Sequence, residues 1–430
     1  MRSRDVRGAR RLQDALAESG IAAAAGTAAP AAGDRADIVV LDGCGAARAG
    51  LSAMAAAWRA SPARPLLVLA AVETARPPPP ALESDLAVDG WLPIDGAAKL
   101  RGRQFDAFAR VAAADDERRN RAATAERLGV GAGPAVERRR LKTLFIGAAN
   151  PFFLALEKHI SAHDGLVAAA FSTFAGFDHL HDERFDAVVL NGARDPATAI
   201  ALCAALRRNT NLHAMPTLVI TAPGDEATAA AAVERGATAV LEENAAEQTA
   251  LGWLFDAIRR ERRRKHIEHA LRDLRDRMGD AHTGLFRDTA FAAHLERLAL
   301  DHHDTGRPLS LIVLRVGIAH GGRPAPPEVW ARGFADIASL AGRLARETDA
   351  GARIGPDRLA FALPGADYAG ARRTAERIAA VCECTAFAAG ERDAGPLVFE
   401  QSAVELQPGE SAHGLMARAQ AVFEPLKASA

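Results

Sequence analysis

The stretch "RETDAGARIGPDRLAF", residues 346–361, holds two patterns whose readings pull apart. Arg346 and Asp349 form an R-x-x-D, separated by five residues from Gly355. Behind it stand Gly355, Pro356, Asp357, Arg358 and Leu359. There a single carboxylate lies between a proline, with fixed φ and no N–H, and a guanidinium. As a bare pattern R-x-x-D means little, since it recurs at Arg11–Asp14 and Arg277–Asp280. Its meaning depends on what surrounds it.

Around this stretch the chain keeps a recognisable order. "DAHTGLFRDTAFAAHLERL" begins at Asp280, and "RPLSLIVLRVG" (307–317) supplies a β-rich run. "ARIGPDRLAFALPGAD" (352–367) follows, and then the helix-like "AGARRTAERIAA". From 280 to about 425 this resembles the GGDEF family, which condenses two GTP molecules into cyclic di-GMP; the likeness thins over 318–330. The resemblance implies an α/β domain with a mainly antiparallel central sheet. In active members an aspartate ending the first strand and an acid of the signature hold Mg²⁺. Here the first position is Arg315, and G-G-[DE]-E-F aligns with Gly355, Pro356, Asp357, Arg358 and Leu359. A guanidinium has no lone pair to offer a metal and repels the cation. The guanine-reading residues are missing too: 318–330 contains no Asn, and Ala331 stands at the aspartate's place. The expectation is a degenerate cyclase with no catalytic residue and no metal or cofactor.

The flank has a different history. In this family an R-x-x-D at that spacing forms an inhibitory site for cyclic di-GMP, completed by an arginine on the next helix. "AERI" at 375–378 places Arg377 there. Arginine matches guanine O6/N7 and phosphate with its planar fork and stacks on purines, and a carboxylate accepts from guanine N1–H and N2–H₂. The resemblance therefore implies a ligand site at Arg346, Asp349 and Arg377. The competing reading is a surface ion pair at i,i+3 beside an exposed helical arginine.

Upstream, "TLFIG" (143–147), "AVVLN" (187–191), "TLVIT" (217–221) and "TAVLE" (238–242) alternate with helix-like segments, the mark of a buried parallel sheet. A weaker copy runs through "ADIVVLDG" (36–43), "RPLLVLAA" (64–71) and "DGWLPID" (89–95), with "RPPPPALE" expected as a surface loop. This copy lacks a full first strand, as in a shortened domain or one whose start codon is misassigned. Both copies resemble response-regulator receivers, flavodoxin-like parallel sheets in which an acidic pair, a phosphoacceptor aspartate, a Thr or Ser and a Lys do the chemistry. The second has Gly147 and Ala148 for the pair, Asn191 for the acceptor, Thr221, and Glu243 for the lysine, which leaves it unable to take a phosphoryl group. The first keeps Asp42 as a possible phosphoacceptor, with Asp5 a partner from the acidic pair, but has Ala70 or Ala71 at the Thr position.

The expected organisation is a short receiver-like domain (1–125), a pseudo-receiver (142–258), a linker helix (259–279) and the degenerate GGDEF domain (280–430). This matches PleD-type receiver–receiver–GGDEF response regulators and their cyclase-dead, PopA-like paralogues. In the linker, Ile267, Leu271, Leu274 and Met278 form an apolar seam suited to a parallel homodimer or to a packing helix. The basic run Arg259–Lys265 is expected to be a solvated face rather than a nucleic-acid contact.

Composition bounds the rest. The chain has 430 residues, enough for about three domains, and a net charge of −1 that attracts neither nucleic acid nor membrane. Its four cysteines are too few for a disulfide framework, and the C-x-C at Cys382 and Cys384 lacks the partners of a metal site. The N-terminus has no apolar core, and no run nears the ~20 apolar residues of a membrane span, so a cytoplasmic location is expected. The functional expectation is a cyclic di-GMP receptor that signals through protein partners on its receiver-like units. The alternatives are a nucleotide-independent scaffold and a weakly active cyclase.

Overall fold

The computed structural model describes residues 6–24, 36–44, 48–61, 64–81, 87–131, 133, 139–281, 283–318, 326–384 and 397–423. They form two compact units, Met1–Ala112 with Val136–His266, and Ala113–Ala135 with Ile267–Ala430. The fold is α/β, as the strand rhythm required.

The first unit opens with α1 (Val6–Glu18), β1 (Ile38–Asp42), α2 (Arg48–Arg59), β2 (Leu67–Val72), β3 (Gly90–Pro93) and the start of α3 (Ala98–Arg127). Its three strands are parallel and lie in chain order. There follow β4 (Lys142–Ile146), α4 (Pro151–Ala162), β5 (Leu166–Ala170), α5 (Thr173–Asp182), β6 (Ala187–Asn191), α6 (Pro196–Arg208), β7 (Thr217–Thr221), α7 (Glu226–Glu234) and β8 (Ala239–Glu242). These five strands pair in parallel in the order β5-β4-β6-β7-β8, the flavodoxin-like arrangement. β6 and β7 are buried along their whole length, which is why they read as continuous apolar runs. Local chemistry starts the helices. Asn150 before Pro151 and Asp195 before Pro196 accept the N–H groups of Phe153 and Thr198, and each such cap stabilises its helix by about 1 kcal/mol. One core, including Val39, Trp91, Phe145, Val189 and Phe255, serves both sheets.

The second unit takes the end of α3 and of α8 (Glu247–Met278), then α9 (Asp288–Thr305), β9 (Leu309–Ile318), α10 (Pro327–Leu344), β10 (Ala350–Arg353), β11 (Arg358–Pro364), α11 (Tyr368–Cys384), β12 (Leu397–Glu405) and α12 (Ala412–Ala421). Its sheet is antiparallel throughout, in the order β10-β11-β9-β12.

Five expectations are corrected or decided by the structure. The linker is no separate element, because α8 runs unbroken from Glu247 to Met278. Residues 113–135, placed by sequence partly in the first domain, pack with the C-terminal unit, where Ala125 shares a core with Met278 and Phe291. The apolar seam is covered within this chain: Ile267, Leu271 and Met278 are buried and Leu274 packs on the same core, so the packing-helix reading holds over the dimer seam. The basic run is half-buried and paired rather than a free solvated face, with only Lys265 exposed. Arg259 pairs with Asp256, Arg262 with Asp186, Arg263 with Asp89, and Arg264 with Glu261, while Arg260 lies over the Phe108 ring. The proline loop is likewise more than surface: Pro78 is buried, and a Cβ at Gly252 of α8 would stand 2.3 Å from its carbonyl oxygen. Glycine there permits the close approach.

Candidate functional site

In the five-stranded sheet the positions of a receiver's phosphoryl site are occupied by groups that hold one another. Asn191, ending β6, donates from Nδ2 to the Ala148 carbonyl at 2.7 Å, and its Oδ1 accepts from the Ala193 amide. Gly147 takes φ +124°, with Asn191 O where a Cβ would go, 2.9 Å away. Glu243 accepts from Asn150 Nδ2 at 3.1 Å, so an acid sits where a cation belongs. Thr221 is buried, its carbonyl accepting from the Glu243 amide. The arrangement is an amide, Asn191, bridging the loops, with the Glu243 carboxylate beside Asn150.

In the three-stranded sheet Asp42 ends β1, half-buried, and its Oδ1 accepts from the Cys44 amide at 3.0 Å. Burial, followed by the charge of Asp42, pushes the Cys44 thiol up to about 11, so the thiol is not a nucleophile near neutral pH. Ala70 and Ala71 lie buried in β2, and Asp95 accepts from both the amide and the hydroxyl of Thr74. Asp5 lies outside the described residues.

In the antiparallel sheet, the two arginines that the sequence aligned with acids of the GGDEF family lie side by side. Arg358 of β11 is the register partner of Arg315 of β9, which in turn opposes Glu400 of β12. Directly opposed residues share a face. Arg315 pairs with Glu400 and donates to the Phe423 carbonyl at 2.9 Å, and both guanidiniums lie over the Phe423 ring. Arg358 also reaches Gln420 Oε1 at 3.3 Å. The cations thus hold down the end of α12 and its following turn. The hairpin tip is fastened as well: Pro356 O accepts from Trp330 Nε1, Gly355 O from Arg353 Nε, and Asp357 O from the Val316 amide. Gly355 has open space for a Cβ, whose nearest neighbour would be 3.7 Å away, and Leu359 is core. Ala331 lies on α10; residues 319–325 lie outside the described ones.

The R-x-x-D residues sit between α10 and β10. Asp349 folds back so that its Oδ2 accepts from the Arg346 amide at 2.8 Å, while the Asp349 amide donates to Arg346 O. Asp349 is half-buried and the Arg346 side chain points to solvent. Burial pushes the Asp349 carboxyl up to about 6, against the opposing pull of the Arg346 amide and guanidinium. On α11, Ala371, Ala375, Ile378 and Cys382 face the core beside Phe334 and Ala341, which turns Arg377 outward. Its Nη1 donates to the carbonyl of Leu344 at 3.0 Å, two residues before Arg346. The structure therefore gathers all three residues at one turn, two of them with exposed guanidiniums.

Sequence reasoning missed what lies beneath that turn. Arg121 on α3 is 1% exposed and donates from Nη2 to the carbonyls of Glu347 (2.8 Å) and Asp349 (3.0 Å). Its Nε binds Glu117 Oε1 at 2.6 Å, which also lies 2.9 Å from His294 Nε2. Burial works against the Glu117 anion, but His294 and Arg121 outweigh it and hold the carboxyl below its ordinary range. The one available sign was Glu117 and Arg121 at i,i+4.

No family model matches the chain, and no curated protein matches it. Among solved structures it is similar to the GGDEF domain of DgcB from Caulobacter crescentus in complex with c-di-GMP, at 24% identity over 34% of this chain and 86% of that one, with a TM-score of 0.29. It is also similar to the FimX GGDEF domain from Pseudomonas aeruginosa (19% identity, 34% and 90% of the two chains, TM-score 0.29). A third is the signal receiver domain of an HD domain-containing protein from Pseudomonas fluorescens (17% identity, 31% and 97%, TM-score 0.28).

Proposed function

We propose that this protein is a non-enzymatic receptor for cyclic di-GMP, bound at Arg346, Asp349 and Arg377. The observation that carries the reading is the Arg377 hydrogen bond to Leu344 O, which sets its guanidinium at the turn that holds the other two residues. Two cationic forks and a carboxylate suit a ligand with two phosphates and two guanines. Cyclase chemistry is disfavoured because Arg315 stands where an acid would hold a metal, and Arg358, its register partner, adds a second positive charge beside it.

The signal would leave through protein contacts on the receiver-like sheets. Phe171, Phe174 and Phe177, at the start of α5, are 70%, 78% and 39% exposed, an apolar display of the kind that marks docking surfaces. Calorimetry with cyclic di-GMP tests the receptor reading. Arg346→Ala should weaken binding by about 1.5–3 kcal/mol, the range for hydrogen bonds to charged groups. A wild-type protein with no affinity below roughly 100 μM, about 5.5 kcal/mol of binding, would leave the scaffold alternative standing.

A further inference from the structure

We propose that Arg121 is a positioning residue for the cyclic di-GMP turn, so that the site is completed by a helix lying more than two hundred residues upstream of it. This rests on the receptor reading above. Two side-chain hydrogen bonds of the ligand residues end on the backbone of residues 344–349: Arg377 on Leu344 O, and Asp349 on the Arg346 amide. Two carbonyls of that stretch, Glu347 and Asp349, converge on a single Arg121 nitrogen. They lie between α10 and β10, in neither a helix nor a strand, and the buried Arg121 guanidinium is the donor that holds both.

Arg121 is itself held from three sides. Glu117 pairs with its Nε, the Phe286 ring lies 5.4 Å from its guanidinium carbon, and Leu271 O is 3.5 Å from Nη1. His294 on α9 fixes Glu117 in turn, with its other ring nitrogen 3.1 Å from Thr124 Oγ1. A buried guanidinium locked this firmly, and spending two of its hydrogen bonds on main-chain oxygens, dictates the path of the turn. The charged groups facing Asp349 are Arg346 from its own turn and Glu117 and Arg121 from α3.

Removing Arg121 alone would strand the buried Glu117 carboxylate and threaten the fold. The test therefore uses the full chain carrying Arg121→Met together with Glu117→Gln, and Arg121→Lys as the conservative variant. Two readouts are taken. Without ligand, amide hydrogen exchange at Arg346 and Asp349 should rise about tenfold in the double variant, with partial recovery in Arg121→Lys. With cyclic di-GMP, affinity should fall about tenfold in the double variant, and the lysine variant should lie between it and wild type. Unchanged exchange and unchanged affinity in the double variant would overturn the positioning role while the receptor reading stands. Faster exchange in a protein whose wild type binds no cyclic di-GMP would instead overturn the receptor reading, and the ligand role of Arg121 with it.

Discussion

Two regions of the C-terminal unit, the turn at 346–349 and the hairpin tip at 355–359, are separated by only five residues and have met opposite ends. At the tip the groups are tied to the fold: Arg315 and Arg358 grip Phe423, and Pro356 and Gly355 receive hydrogen bonds from Trp330 and Arg353. At the turn the Arg346 and Arg377 side chains are exposed while Asp349 folds back on the Arg346 amide, and the backbone is held from below by Arg121. The tip's groups are engaged with their own fold, whereas the turn's backbone is fixed by another helix and its two arginines are exposed.

The largest effect should come from trying to reverse the first outcome. Arg315→Asp with Arg358→Glu would restore acids beside Glu400, setting three carboxylates on one face and releasing Phe423. Stability should fall by about 2–4 kcal/mol, two losses of ordinary size. Mg²⁺ should recover part of it, which thermal melts with and without the ion would show. A variant as stable as wild type would mean the two arginines are idle, and the contrast between tip and turn would lose one side.

Next in size is the contrast in binding. Arg377→Ala should weaken cyclic di-GMP binding by about 1.5–3 kcal/mol, whereas Arg315→Ala should leave it within about twofold, as for a site without shared partners. Equal losses from both would move the ligand from the turn to the sheet face.

A smaller effect follows from Asp349. Its carboxyl titrates near 6 in the folded unit against an ordinary 3.8, raised mainly by burial. Between those values the folded chain holds a proton that the unfolded chain has released. The stability this group contributes is therefore present in full below about pH 4 and is lost as pH rises through 6. Ligand binding runs the other way, because guanine N–H donors need the anion. Affinity should be roughly tenfold weaker at pH 5 than at pH 7, with proton release on binding at the lower pH. Calorimetry in buffers of different ionisation enthalpy would detect it, and a flat profile would take Asp349 out of the site.

The parts of the fold that sequence revealed were those whose burial is continuous. β4, β6 and β7 stand out as apolar runs because neighbours cover both faces. β5, "LVAAA", did not, since an edge strand made largely of alanine, with Leu166 exposed, carries no period. α5 escaped for a similar reason, its phenylalanines facing outward. Arg346, Asp349 and Arg377 were named through the family resemblance, since the bare R-x-x-D pattern recurs elsewhere in the chain. Arg121 was not, because its partners lie 226 and 228 residues away and no local pattern announces a contact at that range.

The smallest expected effect is a null result, and it bears on the same lesson in the first unit. Asn191→Asp returns the acceptor carboxylate to the five-stranded sheet, yet incubation with acetyl phosphate and Mg²⁺ should leave the protein's mass unchanged. A phosphoryl acceptor needs a metal to neutralise the incoming charge and a cation to complete the site. Here Gly147 and Ala148 offer no carboxylate, and Glu243 adds a negative charge where a lysine is required. The new aspartate would lose its Nδ2 donor and turn an oxygen toward Ala148 O, which favours the protonated acid. Phosphorylation of that variant would show that a single residue had kept the pocket silent, and would place the five-stranded sheet with the turn, as a site preserved, rather than with the hairpin tip.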